Sequence, residues 1–104
     1  MILDNIDVAI LTKYNELAAR FGIKSYECLA TLGHGHEMHG RGLSFVVPAE
    51  TDDQRMPAIK TMLSTLGVSI DNSSHVGILK GGEIAVIDAL DHALSLAPKQ
   101  RPRA

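Results

Sequence analysis

Ser25-Tyr26-Glu27-Cys28-Leu29-Ala30-Thr31-Leu32 is the stretch on which the fold turns. Ser25 can cap a short helix over residues 26–32, but Tyr26, Cys28, Ala30 and Leu32 also alternate as a strand would. The helical reading is slightly favoured. It makes the segment the second arm of a helical corner, whereas the strand reading makes it a partner for whatever sheet the rest of the chain builds.

Upstream lies a helix. Ile10, Tyr14, Leu17, Ala18 and Phe21 recur at three- and four-residue intervals, with Asp7, Lys13, Glu16 and Arg20 on the other side. Asp4 or Asn5 can cap it, Glu16 and Arg20 are spaced as an i,i+4 pair, and Gly22 stands where a left-handed C-terminal residue is wanted. Downstream, Gly33-His34-Gly35-His36-Glu37-Met38-His39-Gly40-Arg41-Gly42 has no apolar period and reads as a loop. Leu43-Ser44-Phe45-Val46-Val47 is β-prone, apolar on both faces and stopped by Pro48, which predicts a buried strand.

Thr51-Asp52-Asp53-Gln54 has capping-box spacing, and Ile59, Met62, Leu63 and Leu66 form a helical stripe ending at Gly67. Pro57 is tolerated only near a helix start, so the regular helix should begin nearer Gln54 than Thr51. Residues 71–74 read as a polar turn and 76–79 as a strand. Residues 80–83 then either turn the chain into a second strand over 84–87 or open a long final helix. From Asp88 the helix is plain, with Asp88, Asp91, His92 and Ser95 opposite Ala89, Leu90, Ala93, Leu94 and Ala97, and Pro98 ends it.

The pattern predicts an α+β fold: one small domain over residues 1–97, with about three helices packed on a short sheet of two or three strands. Residues 98–104 form a basic, Pro-containing, flexible tail. The 104 residues, 45% hydrophobic and 21% charged, leave room for one core and fall within globular usage. With no apolar run longer than that from Val8 to Leu11, nothing approaches the ~20 residues of a membrane span. The N-terminal residues lack a secretory pattern, and the single Cys28 cannot form an intrachain disulfide, so a reduced, cytoplasmic setting is expected.

Charge bears on partners. The net charge is −2, but Lys99, Arg101 and Arg103 are three of the ten basic residues; residues 1–98 hold seven against all twelve acids. That balance disfavours nucleic acid. Exposed edges on so small a sheet would suit a homo-oligomer or another protein partner.

The candidate chemistry is in the loop. His34, His36 and His39 have H-x-H-x-x-H spacing, with Glu37 between them as an auxiliary oxygen ligand. Imidazole suits Zn, Ni and Cu near neutral pH, and a glycine-rich backbone lets closely spaced rings converge on one ion. Cys28 or His75 could complete the shell. Four glycines also raise the cost of ordering, so the competing reading is a polar connection whose histidines bind nothing specific. The loop fails as a phosphate cradle, because Arg41-Gly42 stands where Lys and Ser/Thr are required, and it lacks the last glycine of a dinucleotide fingerprint.

A rival reading is a helix-turn-helix DNA-binding regulator over residues 14–32, with Ala18, Gly22, Ile23 and Cys28 in the packing positions. Its reading helix would offer Lys24, Tyr26 and Glu27, a poor set for base edges, and an ordinary helical corner explains the spacing as well. A third reading is a protein–protein interaction domain with no small-ligand site. Asp88, Asp91 and His92 share a helical face that reads as solvated surface, and no nucleophile–base motif is present, so a binding role is expected rather than an enzyme.

Overall fold

The structure is a computed structural model and describes residues 5–33, 42–70 and 75–99. Its elements, in order, are helix α1 (Asn5–Arg20), strands β1 (Leu29–Gly33) and β2 (Gly42–Val46), a 3-10 turn (Asp53–Arg55), helix α2 (Met56–Thr65), strand β3 (Val76–Leu79) and helix α3 (Gly82–Leu96). The sheet is antiparallel in the order β1-β2-β3. Three helices on three strands give the α+β class that the pattern predicts.

The helical reading of residues 26–32 is overturned. Residues 25–27 form a turn and Leu29 opens β1, which pairs with β2 from Leu29 opposite Val46 to Gly33 opposite Gly42. Seven residues make a marginal helix alone. As a strand, the same residues satisfy their backbone groups against the β-prone run of β2. β2 in turn pairs with β3, Leu43 opposite Leu79 and Val46 opposite Val76.

The register sorts the side chains by face. Ala30, Leu32, Leu43, Phe45, Gly77 and Leu79 point inward, and Leu29, Thr31, Ser44, Val46, Val76 and Ile78 point outward. The helices cover only the inner face, so β2 is not buried on both sides: Leu43 and Phe45 are fully buried, while Ser44 and Val46 are half-buried. Ile10, Leu17, Phe45, Ile59, Met62, Leu63 and Leu90 form the centre of one core. Tyr14 packs on Phe45 with ring centroids 5.4 Å apart. The Asp7 carboxylate, expected on the polar side of α1, is buried in its first turn, where the helix dipole favours a negative charge.

Helix ends follow the local chemistry. At the end of α1, Gly22 takes φ 69° and donates to the Ala19 carbonyl at 3.0 Å, while Ile23 donates to Ala18 at 2.8 Å. This is the Schellman arrangement. Ahead of α2, Asp52 rather than Thr51 caps the 3-10 turn, accepting from the Gln54 N–H at 2.9 Å, and α2 itself follows from Met56 with no side-chain cap. Pro57 falls in the first turn of α2, where its missing donor costs nothing. Residues 84–87 belong to α3, not to a second strand: Gly81 and Gly82, at φ 116° and 84°, turn the chain from β3 directly into the helix.

The two ends of the sheet differ in what they hold. At one, Gly33 faces Gly42 and α3 begins just past Leu79. At the other, where Leu29, Val46 and Val76 align, α1 ends with its Gly22 carbonyl held by Arg55 at 2.8 Å. α1 and α3 pack against one another, tied near their middles by Lys13 and Asp91 at 2.6 Å.

Candidate functional site

His34, His36, Glu37 and His39, the expected metal ligands, lie outside the described residues, as does Arg41. The described structure fixes their anchors. Gly33 and Gly42 are partners in the ladder, and Cα atoms of such partners stand about 4.5–5.5 Å apart.

The two residues expected to complete a shell are not near those anchors. Cys28 precedes Leu29, and the His75 carbonyl accepts from Val47 N–H at 3.0 Å, so both sit at the opposite end of the sheet. The five residues of β1, at ~3.3 Å each, separate them from Gly33. The Cys28 thiol is buried, and burial pushes its pKa up, away from the thiolate that a metal requires. Its carbonyl accepts a 2.7 Å hydrogen bond from the Tyr14 hydroxyl, which makes it part of the core. Burial first, and the adjacent Cys28 side chain second, raise the Tyr14 phenol's own pKa, so it stays a donor.

Asp88, Asp91 and His92 are exposed on α3, with Asp91 engaged by Lys13. Among the described residues no group of three or more His, Cys, Asp or Glu side chains is placed to hold a metal. The helix-turn-helix reading loses its geometry, because the stretch meant to read DNA is turn and strand, with Lys24 and Tyr26 in the turn region.

The second end of the sheet holds an open cleft of about 350 Å³, lined by Tyr26, Glu27, Pro48, Glu50, Thr51, Asp52 and Arg55. Arg55 grips Glu27 with both ends of its fork, Nε to Oε2 at 2.6 Å and Nη2 to Oε1 at 3.2 Å, and Nη2 also donates to the Gly22 carbonyl. Glu27 Oε1 accepts from the Lys24 N–H at 2.9 Å. The Arg55 hydrogen bond first, and the Lys24 N–H second, hold the Glu27 carboxyl down to about 2. Arg55 is pushed above its usual value by the same bond. One positive charge therefore meets three negative ones in the cleft, and Tyr26, 65% exposed, offers a ring beside them.

Sequence reasoning missed this pair. Twenty-eight residues separate its members, so no local period links them; only the hairpin brings the turn before β1 next to the segment after β2. No helix among the described residues is long and apolar enough to cross a membrane. Comparison of the chain with protein-family models, with curated proteins and with solved structures found no match.

Proposed function

We propose that the chain is a small binding module that takes up a transition-metal ion, Zn, Ni or Cu, on His34, His36 and His39, with Glu37 as auxiliary ligand. The pairing of Gly33 with Gly42 is the observation that supports this reading. Folding of the sheet already brings the two ends of an eight-residue connection together, so an ion need not meet the closure cost of that loop. Histidines at 34 and 39 are one and three residues from a clamped anchor, which limits how far their rings can stray from a common point. Three imidazoles and one carboxylate suffice for a four-coordinate shell without Cys28 or His75.

The test is native mass spectrometry with elemental analysis, after equilibration against a competing chelator. The parent should carry one metal ion per chain, and the combined His34→Ala, His36→Ala and His39→Ala variant should carry none. Metal-free parent, or equal loading of both proteins, refutes the reading.

A second reading, an interaction module or homodimer, is favoured by the outer face of the sheet. Leu29 and Ile78 are 46% and 49% exposed there, beside half-buried Val46 and Val76. Its test is the mass in solution across a hundredfold range of concentration; a constant monomer mass rules out self-association.

A further inference from the structure

β1 is an edge strand over which the helix layer stops short. It pairs with β2, and among the described residues no backbone group bonds to its other edge. The inward side chains of β2, Leu43 and Phe45, are fully buried, and Gly77 of β3 is closed over by Val68 and Ser69. Those of β1, Ala30 and Leu32, are only half-buried. Free edges are commonly protected by charge, proline or a bulge; Leu29-Ala30-Thr31-Leu32-Gly33 has no charge and no proline, and it matches β2 residue for residue.

The helix above continues the same strip. α1 packs on β1 and α3 packs on β2, so the side of α1 turned away from α3 looks out past the free edge. Lys13, bound to Asp91, marks the side that faces α3. At ~100° per residue, Val8, Leu11 and Asn15 lie on the opposite side. None of them is charged, and Val8 is 50% exposed. A strand edge alone would suit any extended peptide, but here a helix flank is uncovered beside it. A second copy brings both a strand and a helix. The strip is also where an acidic chain, at net −2, can meet itself without setting like charges against each other. Along the 16 residues of α1 it runs ~24 Å and is two layers deep, on the scale of the ~800 Å² per partner that a stable dimer buries.

We infer that two copies of the chain join along β1 about a two-fold axis. β1 pairs antiparallel with its counterpart into one continuous sheet, and the Val8, Leu11 and Asn15 side of α1 packs on the same side of the other copy. Full overlap puts Thr31 opposite Thr31 at the axis, Ala30 opposite Leu32 on the inner face and Leu29 opposite Gly33 on the outer; a slip by one residue would turn inner side chains outward. The inference rests on the self-association reading above and places its surface at the edge of the sheet instead of the outer face. It sends the Gly33–Gly42 anchors of the two copies to opposite ends of the joined sheet.

The test is sedimentation equilibrium on the parent and on variants at exposed positions, with circular dichroism to check folding. The parent should show a dimer that gives way to monomer on dilution. Thr31→Lys and Thr31→Asp each set two like charges face to face at the axis and should raise the dimer dissociation constant about tenfold or more. An equimolar mixture of the two should restore association, because opposite charges then meet. Val8→Lys should weaken the dimer from the helix side, and Ile78→Lys, on the outer face of β3, should leave it unchanged. A monomer at every concentration ends both self-association and this proposal. A dimer lost in Ile78→Lys and kept in Thr31→Lys retains self-association through the outer face and overturns the edge. Folded single variants that fail to associate when mixed overturn it too. If a charge at position 31 prevents folding, Val8→Lys decides, and an unaltered dimer there overturns the proposal.

Discussion

Gly77 sits at the centre of β3, facing Phe45 across the ladder, and a methyl group placed there has nowhere to go. A Cβ would stand 2.6 Å from Val68 Cγ1 and 3.0 Å from the Ser69 carbonyl oxygen, against an optimum of about 3.5–4.0 Å between carbons. Overpacking of this kind costs ~1–3 kcal/mol, and the lower backbone entropy of alanine in a strand returns ~0.5–1, leaving about 1–2 kcal/mol lost in Gly77→Ala. For a domain near 100 residues that lowers Tm by roughly 4–16 °C. Urea unfolding followed by circular dichroism should show a lower midpoint at unchanged slope.

The mechanism is tested by a second substitution. Val68→Ala alone removes two buried methyl groups, about 1.6 kcal/mol at ~0.8 each. In the double variant the new methyl occupies part of the space that Val68 vacates, so the combined loss should fall about 1 kcal/mol short of the sum. Strict additivity, or a Gly77→Ala protein more stable than the parent, would refute the close approach of residue 68 to β3.

Tyr14→Phe keeps the ring on Phe45 but leaves the buried Cys28 carbonyl without its donor, and should cost about 1–3 kcal/mol in the same urea assay. Gly22→Ala should destabilise by ~1–2 kcal/mol through backbone strain alone, since φ is 69° and nothing stands within 4 Å of the added methyl; Gly22→Asn should lose less. Glu27 has its native pKa depressed to about 2 from an ordinary 4.5, so its contribution is fully present above pH 4.5 and drains away as pH falls towards 2. Urea midpoints measured at pH 6, 4, 3 and 2 should therefore fall more steeply for the parent than for Glu27→Gln; parallel profiles would remove the pair from the acid response.

Where one periodic stripe governs, the sequence is sufficient: Ile10 to Leu17, Ile59 to Leu63 and Leu90 to Ala97 all end in the core as their spacing demands. It is insufficient for residues 25–32, because an alternation of four apolar positions fits a capped helix equally well until the partner strand is known. It fails also at residues 84–87, where a short apolar run reads the same in strand and helix, and only the left-handed pair Gly81-Gly82 chooses. Of the expected ligands, the displacement of Cys28 and His75 to the far end follows from register, a property of two strands together. The Glu27–Arg55 pair was invisible for the same reason.

That pair also bears on how the sequence can vary. Arg55 makes one bond to a main-chain carbonyl, at Gly22, which any residue there would supply, and two to a carboxylate, which only Asp or Glu can. Position 22 is therefore restricted by its backbone angle and not by its partner. Positions 27 and 55 are tied to each other: loss of either charge strands the other at the junction of α1, β1 and α2. Diverged relatives of this chain should change the two together, and a set of sequences in which they drift independently would mean that the junction is held some other way.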